Sequence, residues 1–286
     1  MYDLLIIGGG PAGLSAAMTA RNRNLSVCVI CGGAADSALH KAGHVTNYPG
    51  VPDASGPALL ETMTQQARDL GADMLRERAL SAMPMGKTFG VSAGKEFVEG
   101  RALLLATGIA QRGTFPGETD YLGRGVSYCA TCDAFFYRGR DVAVLGSGEY
   151  ALHEVQALLP VAHSVTLLTG GAQLTAQFPP EVAVRTEAVE AILGEERVTG
   201  VQLKDGGTLE VSGVFVALGV AGSTALARKL GAAVEGSRIV VDEKMQTTVP
   251  GLYAAGDCTG GLLQVAKAVY EGALAGTEAA KALRKG

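Results

Sequence analysis

The sequence has no excess of basic charge. Its 24 Lys and Arg are outnumbered by 28 Asp and Glu, for a net charge of −4. That balance argues against nucleic acid or an anionic membrane surface as the main partner. No apolar run reaches the length of a bilayer span. Histidine is scarce, and His40, His44, His153 and His163 are scattered without metal-ligand spacing. No metal is therefore expected. No segment is of low complexity. The start, Met1-Tyr2-Asp3, runs straight into an apolar stretch without a basic leader or cleavage site. The expectation is a cytoplasmic protein, where five cysteines do not build a disulfide framework and a Cys-x-x-Cys pair is redox-active or metal-binding.

Apolar residues and glycine are plentiful. With 48% apolar residues and 18% charged ones in 286, the chain has enough material for a sizeable core in one large or two modest domains. Two glycine fingerprints organise it. Gly8-x-Gly10-x-x-Gly13 follows the apolar run 2–7 and opens a helix expected over 11–21, with a second strand at 25–31. Gly146-x-Gly148-x-x-Ala151 follows the run 141–145 and opens a helix to about 158, with a strand at 164–168. Each is a βαβ start of the dinucleotide-binding kind. In the first, Gly8 permits the turn, Gly10 lets backbone approach a pyrophosphate, and Gly13 allows close helix packing. The helix start then faces the phosphates. Its customary acidic partner at the end of the second strand is missing: Cys31 or Gly32 holds that place, and Asp36 is the nearest acid. Other elements expected are a helix at 57–70, strands at 74–80, 88–92 and 97–105, turns over 112–125, strands at 182–185, 198–203 and 211–218, and a long helix at 263–283.

Between the fingerprints lies Ser127-Tyr128-Cys129-Ala130-Thr131-Cys132-Asp133. Cysteines three apart on a helical turn share a face, and a helix start favours the reactive thiolate. Zinc would need two further ligands, which no suitable second pair supplies. Cys129 and Cys132 therefore read as a redox dithiol. Asp133 can carry the protons that thiol exchange releases and consumes. Cys28 and Cys31 have the same spacing but fall in a strand, where residues three apart point to opposite faces, so they read as core. Cys258 reads as structural.

With these pieces in hand, the chain resembles the low-molecular-weight thioredoxin reductases along almost its full length. The matching segments are Ile6 to Gly13, Asn47-Tyr48-Pro49-Gly50, Ala106-Thr107-Gly108, Cys129-Ala130-Thr131-Cys132-Asp133, and Ala254-Ala255-Gly256-Asp257 with Gln264. The resemblance implies an α/β fold of two Rossmann-like domains, usually as a homodimer. One is a discontinuous FAD-binding domain, 1–110 with 242–286; the other is an NAD(P)-type domain, 113–240, carrying the dithiol. It implies FAD on Gly8, Gly10, Pro11, Ala12 and Gly13, with Asn47, Thr107 and Gly108 contributing. Asp257 would bind the ribityl chain, and Gln264 and Val265 would lie near the ring. Cys132 would face the flavin, Cys129 would attack a thioredoxin disulfide, and Asp133 would be the acid/base.

The second fingerprint departs from that pattern. The family places basic residues after the next strand to hold the 2′-phosphate of NADPH; here no Lys or Arg occurs between Thr169 and Val184, and no acid before Glu181. The crossover 170–181 is short and holds Gly170, Gly171, Pro179 and Pro180, so no full helix is expected there. Tyr150 places a bulky ring beside the turn. These losses resemble the ferredoxin-dependent flavin thioredoxin reductases, so the expected donor is reduced ferredoxin in place of NADPH. An NADPH- or NADH-dependent reductase and an oxygen-using dithiol oxidase stay open as alternatives.

Overall fold

A computed structural model describes the chain except residues 34–36, 109–114, 129, 219–222, 237 and 286, and the side chains of 131, 132, 149 and 223. The chain divides into two compact units, Met1–Ala110 with Gly222–Gly286, and Gln111–Ala221.

The first unit opens with β1 (Tyr2–Ile7), α1 (Pro11–Arg21) and β2 (Val27–Ile30). β1 and β2 pair in parallel, Leu4 beside Val27, and both are buried nearly throughout, as strands covered on both faces must be. α2 (Gly56–Asp69) is capped by the Ser55 hydroxyl on the Ala58 amide. β3 (Asp73–Leu75) joins the sheet edge. The meander β4 (Ala79–Met85), β5 (Thr88–Ala93) and β6 (Glu96–Leu105) follows. β6 runs parallel to β1 on one side. On the other side its first half pairs with β5.

The second unit contains β7 (Val126–Ser127), α3 (Ala130–Asp133), β8 (Asp141–Leu145), α4 (Glu149–Leu158), β9 (Ser164–Leu168), β10 (Ala183–Arg185), β11 (Val189–Gly194), β12 (Val198–Leu203), β13 (Thr208–Glu210) and β14 (Gly213–Val216). Its parallel sheet has the order β10-β9-β8-β14-β7, with β11-β12-β13 as a separate antiparallel sheet. No helix joins β9 to β10, in keeping with the two prolines and two glycines of the crossover.

The chain then returns to the first unit through α5 (Ser223–Lys229), β15 (Val234–Glu235), β16 (Arg238–Ile239), β17 (Leu252–Ala254) and α6 (Val265–Lys285). β17 pairs in parallel with the second half of β6. The sequence pattern extends the second unit to 240; the described residues from 223 onward group with the first unit instead. The Ala233 amide donates to the Thr248 hydroxyl at 2.9 Å, and the space beside Gly260 is filled by the Arg238 side chain.

α1 and α6 cross with their backbones in contact. A Cβ on Gly272 would lie 2.0 Å from the Ala12 carbonyl oxygen, and one on Gly276 would lie 2.7 Å from that of Ala16. This glycine and alanine seam brings the start of α6 close to the start of α1. Among the described residues no helix is long and apolar enough to cross a membrane.

Candidate active site

In the first unit the β1–α1 turn has the form of a phosphate cradle. Gly8 has φ 120°, and a Cβ there would lie 2.2 Å from the Ala106 carbonyl oxygen. A Cβ on Gly13 would lie 1.9 Å from the Gly8 carbonyl oxygen. Side chains at these two places would push α1 off the sheet. Gly10 differs: its nearest neighbour would be the Ser37 hydroxyl at 3.8 Å, so space lies open above the helix start. Among the described residues no side chain caps α1, and no acid sits in its first turn. Its amides and its dipole are thus left to an anion. Pro11 at the helix start has no amide to satisfy, and Ala12 is buried.

The other predicted cofactor residues gather around this turn. A Cβ on Gly256 would lie 2.9 Å from the Ala12 Cβ, which sets the Gly256-Asp257 turn against the first turn of α1. Burial pushes the Asp257 carboxyl above its ordinary range, with Lys267 pulling it down and Glu271 pushing it up. Asn47 donates from Nδ2 to Gln264 Oε1 at 2.7 Å, joining residues far apart in sequence at the head of α6, where Val265 begins the helix. Thr107 has a buried hydroxyl with no partner among the described residues. Gly108 holds φ 65° at the same strand end. An orphaned hydroxyl, an open glycine cradle and an uncapped helix are what a dinucleotide flavin requires, and the residues fit it. Cys31 takes the place of the usual acid and packs on the turn: a Cβ on Gly9 would meet its Cβ at 2.8 Å. Asp36 lies outside the described residues.

Sequence reasoning missed the support under Asp257. Lys267 Nζ donates to the Gly256 carbonyl at 2.8 Å, the Thr259 hydroxyl at 2.9 Å and the Gly260 carbonyl at 2.6 Å. It also pairs with Glu271 at 3.1 Å. Glu271 in turn accepts from the Gly256 amide at 2.8 Å. The signal was an i,i+4 Lys–Glu pair on a helix otherwise lined by small apolar residues.

In the second unit Cys129 lies outside the described residues, and Cys132 is described only in its helical backbone within α3. Their surroundings are described. Asp133 accepts from the Ser127 hydroxyl at 2.6 Å. The Tyr137 hydroxyl is pushed up in pKa by burial first and then by the charge of Asp133. Tyr128 donates to the buried Glu118 at 2.6 Å. Beyond α3, Phe135 and Phe136 are 70% and 72% exposed, and the Arg138 guanidinium lies 5.5 Å from the Phe135 ring centre. The remaining cysteines differ in kind. Burial and the charge of Asp73 push the Cys28 thiol up to about 11, and burial pushes Cys258 up to about 12.

The second fingerprint is folded but covered by its own chain. Gly146 packs as Gly8 does, with a Cβ position 2.6 Å from the Ala217 carbonyl oxygen. At Gly148 the equivalent of the open cradle is filled, because a Cβ there would meet the Thr175 hydroxyl at 3.0 Å. The Thr175 amide donates to the Ser147 carbonyl at 2.9 Å. Thr169, at the end of β9, has a buried hydroxyl with no partner among the described residues but neither the acid nor the base that a nucleotide ribose recruits. Tyr150 does not project beside the turn as expected. Its ring is buried and its hydroxyl donates to the Tyr128 carbonyl at 2.6 Å, because the apolar ring finds cover under the dithiol segment.

Comparison with known proteins identifies the family and the fold. Residues 2–272 match the family described as pyridine nucleotide-disulphide oxidoreductase. The chain is 36% identical to a thioredoxin reductase of Aquifex aeolicus, with 100% of this chain and 93% of that protein covered. Among solved structures it is similar to the atypical thioredoxin reductase TRi of Desulfovibrio vulgaris Hildenborough, with a TM-score of 0.89, 34% identity and 100% and 99% coverage. It is also similar to a ferredoxin-flavin thioredoxin reductase of Clostridium acetobutylicum, with a TM-score of 0.76, 34% identity and the same coverage.

Proposed function

The chain belongs to the pyridine nucleotide-disulphide oxidoreductase family, as a flavin enzyme of the thioredoxin reductase type, and from that premise we propose that it binds FAD and reduces a thioredoxin disulfide with electrons from reduced ferredoxin. The observation that carries the choice of donor is Thr175, which lies on the Gly146–Gly148 turn where a pyridine nucleotide would need open backbone. The absence of any charged side chain from Thr169 to Pro180 supports the same choice, as does the name of the similar clostridial structure. A homodimer is carried as part of this proposal on the family resemblance.

The chemistry assigned to the chain is thiol–disulfide exchange. The Cys129 thiolate attacks one sulfur of the substrate disulfide, breaking that bond and forming a mixed disulfide. The Cys132 thiolate then attacks the Cys129 sulfur, the substrate leaves as a dithiol, and a Cys129–Cys132 disulfide remains. Two electrons have passed to the substrate. Asp133, held by Ser127, is assigned the proton transfers that accompany them. The exposed Phe135 and Phe136 offer an apolar surface beside the pair for a protein substrate. When bound, a flavin would supply the two electrons that restore the dithiol, chemistry compatible with a one-electron donor. With plant-type ferredoxin near about −400 mV and thioredoxin near about −270 mV, two electrons fall by about 6 kcal/mol.

The test is anaerobic bleaching of the flavin in the purified protein with NADPH, NADH and reduced ferredoxin added separately. Bleaching by ferredoxin alone is expected. Rapid bleaching by either nucleotide would return the chain to the nucleotide-dependent reductases. Bleaching by small dithiols only, with peroxide formed in air, would make it a dithiol oxidase.

A further inference from the structure

The adenosine half of a dinucleotide needs a partner that the first fingerprint does not provide. In folds of this kind an acid at the end of the second strand accepts from the ribose hydroxyls. Here Cys31 follows β2, and residues 30–33 carry no charge. The sheet offers a different group one strand further out. Ile7 stands beside Ile30, and Ile30 beside Leu75, so the parallel strands β1, β2 and β3 end in one row. The ladder runs one residue past that row. The Gly8 amide donates to the Ile30 carbonyl at 2.9 Å, and the Cys31 amide to the Leu75 carbonyl at 3.0 Å. Gly8, Cys31 and Arg76 therefore leave the sheet at the same edge, the carboxyl edge where ligands of parallel sheets bind. With strands about 4.8 Å apart, Arg76 begins about 10 Å along that edge from the phosphate cradle.

Arg76 is exposed, and among the described residues it has no hydrogen bond or ion pair. Its neighbour Glu77 is turned to the β5–β6 turn, where it fills the space beside Gly94. An exposed arginine ordinarily needs no role; the place of this one, beside the position that lacks its acid, gives it one. We propose that Arg76 holds the adenosine end of the bound FAD, its guanidinium donating to the ribose hydroxyl oxygens. The inference rests on the FAD reading given above. Donor and acceptor are then exchanged relative to the usual arrangement. An acid accepts from the hydroxyls, whereas a guanidinium has donors only and meets their lone pairs. The sheet explains why Cys31 is tolerated at the end of β2: it packs on Gly9, and recognition of the ribose passes to the end of β3.

The test compares the full-length parent with Arg76→Met, which keeps the aliphatic stem and removes the guanidinium. Both are stripped of flavin and titrated with FAD and with FMN, which lacks the adenosine, by flavin fluorescence. FAD is expected to bind Arg76→Met about tenfold more weakly, the loss of one hydrogen bond from a charged donor. In about 0.15 M salt, where long-range attraction is screened, FMN binding should change by less than about twofold. The flavin-free proteins should melt together. An FAD affinity equal to the parent's would overturn the inference while leaving the FAD reading intact, and so would equal weakening of FAD and FMN. A parent that holds FAD no more tightly than FMN would overturn both. Should FMN bind too weakly to titrate, equal melting of the flavin-free proteins serves as the control. Should Arg76→Met fail to fold, phenylglyoxal modification of Arg76 in the parent, read by peptide mass spectrometry, decides. Protection by FAD supports the contact, and equal modification with and without FAD refutes it.

Discussion

Replacing Lys267 by Met is expected to loosen the turn that presents Asp257, and the size of the effect follows from what the ammonium holds. It makes three hydrogen bonds, to Gly256, Thr259 and Gly260, and one ion pair, to Glu271. The Lys267 and Glu271 side chains are only 15% and 12% exposed. Breaking a buried pair by removing one partner costs about 3–5 kcal/mol, because the other charge is stranded. Residual exposure puts Lys267→Met at the low end, about 3 kcal/mol. At roughly 2–4 °C per kcal/mol for a domain of this size, melting should fall by about 6–12 °C. Thermal melts followed by far-ultraviolet circular dichroism, with flavin release recorded in parallel, measure it. The double variant Lys267→Met with Glu271→Gln should recover most of the loss, since Gln still accepts from the Gly256 amide and no charge is stranded. A single variant melting within about 2 °C of the parent, or a double variant no better than the single, would refute the stranded-charge argument.

Two further outcomes are expected. Asp257 has a raised pKa through burial, so the folded chain holds that proton more tightly than the unfolded one. Its ionisation therefore costs stability as pH rises from the ordinary carboxylate value through the folded value. Asp257→Asn should make the flavin-free protein melt higher than the parent at neutral pH, with the gap closing as pH falls through that window, and should weaken flavin binding in a fluorescence titration; equal gaps at pH 4 and pH 7 would contradict the sign. Cys28 and Cys258, with thiols pushed up to about 11 and about 12, should resist iodoacetamide at pH 8 in the native protein and react in denaturant, as peptide mass spectrometry would report.

The elements legible in the sequence are those whose signal is local. β1, β8 and β9 are short, mostly apolar stretches that end at turn residues, and they fall where those stretches are. The apolar pattern joins β3 and β4 into one strand over 74–80, but the structure breaks it at 76–78, where Arg76-Glu77-Arg78 interrupts the run. β11 and α5 carry no such signal. β11 gains its place by antiparallel pairing with β12, a partner its own residues do not announce, and α5, seven residues long, is too short for a helical period to stand out. At the site, the glycine cradle and the Gly256-Asp257 turn are legible because glycine at fixed spacing has few other uses. The Asn47–Gln264 bond spans 217 positions and leaves no local trace. Glu118 and Glu154 are invisible for a related reason. A glutamate in an amphipathic stretch normally marks the solvated face, and only the folded chain shows these two turned inward.

The seam where Gly272 meets Ala12 has a bearing on how the protein is made. The first unit draws on residues on either side of the second unit, and α1 cannot be covered until residues past 265 have left the ribosome. At about 5–20 residues per second, synthesis from residue 110 to the end of α6 takes roughly 10–35 s. The dithiol unit is contiguous and can fold within that interval, while the apolar face of α1 waits. The cofactor cradle is therefore completed only after the second unit has emerged, and in a nascent chain the seam works as a latch between the emergence of α6 and acquisition of the flavin.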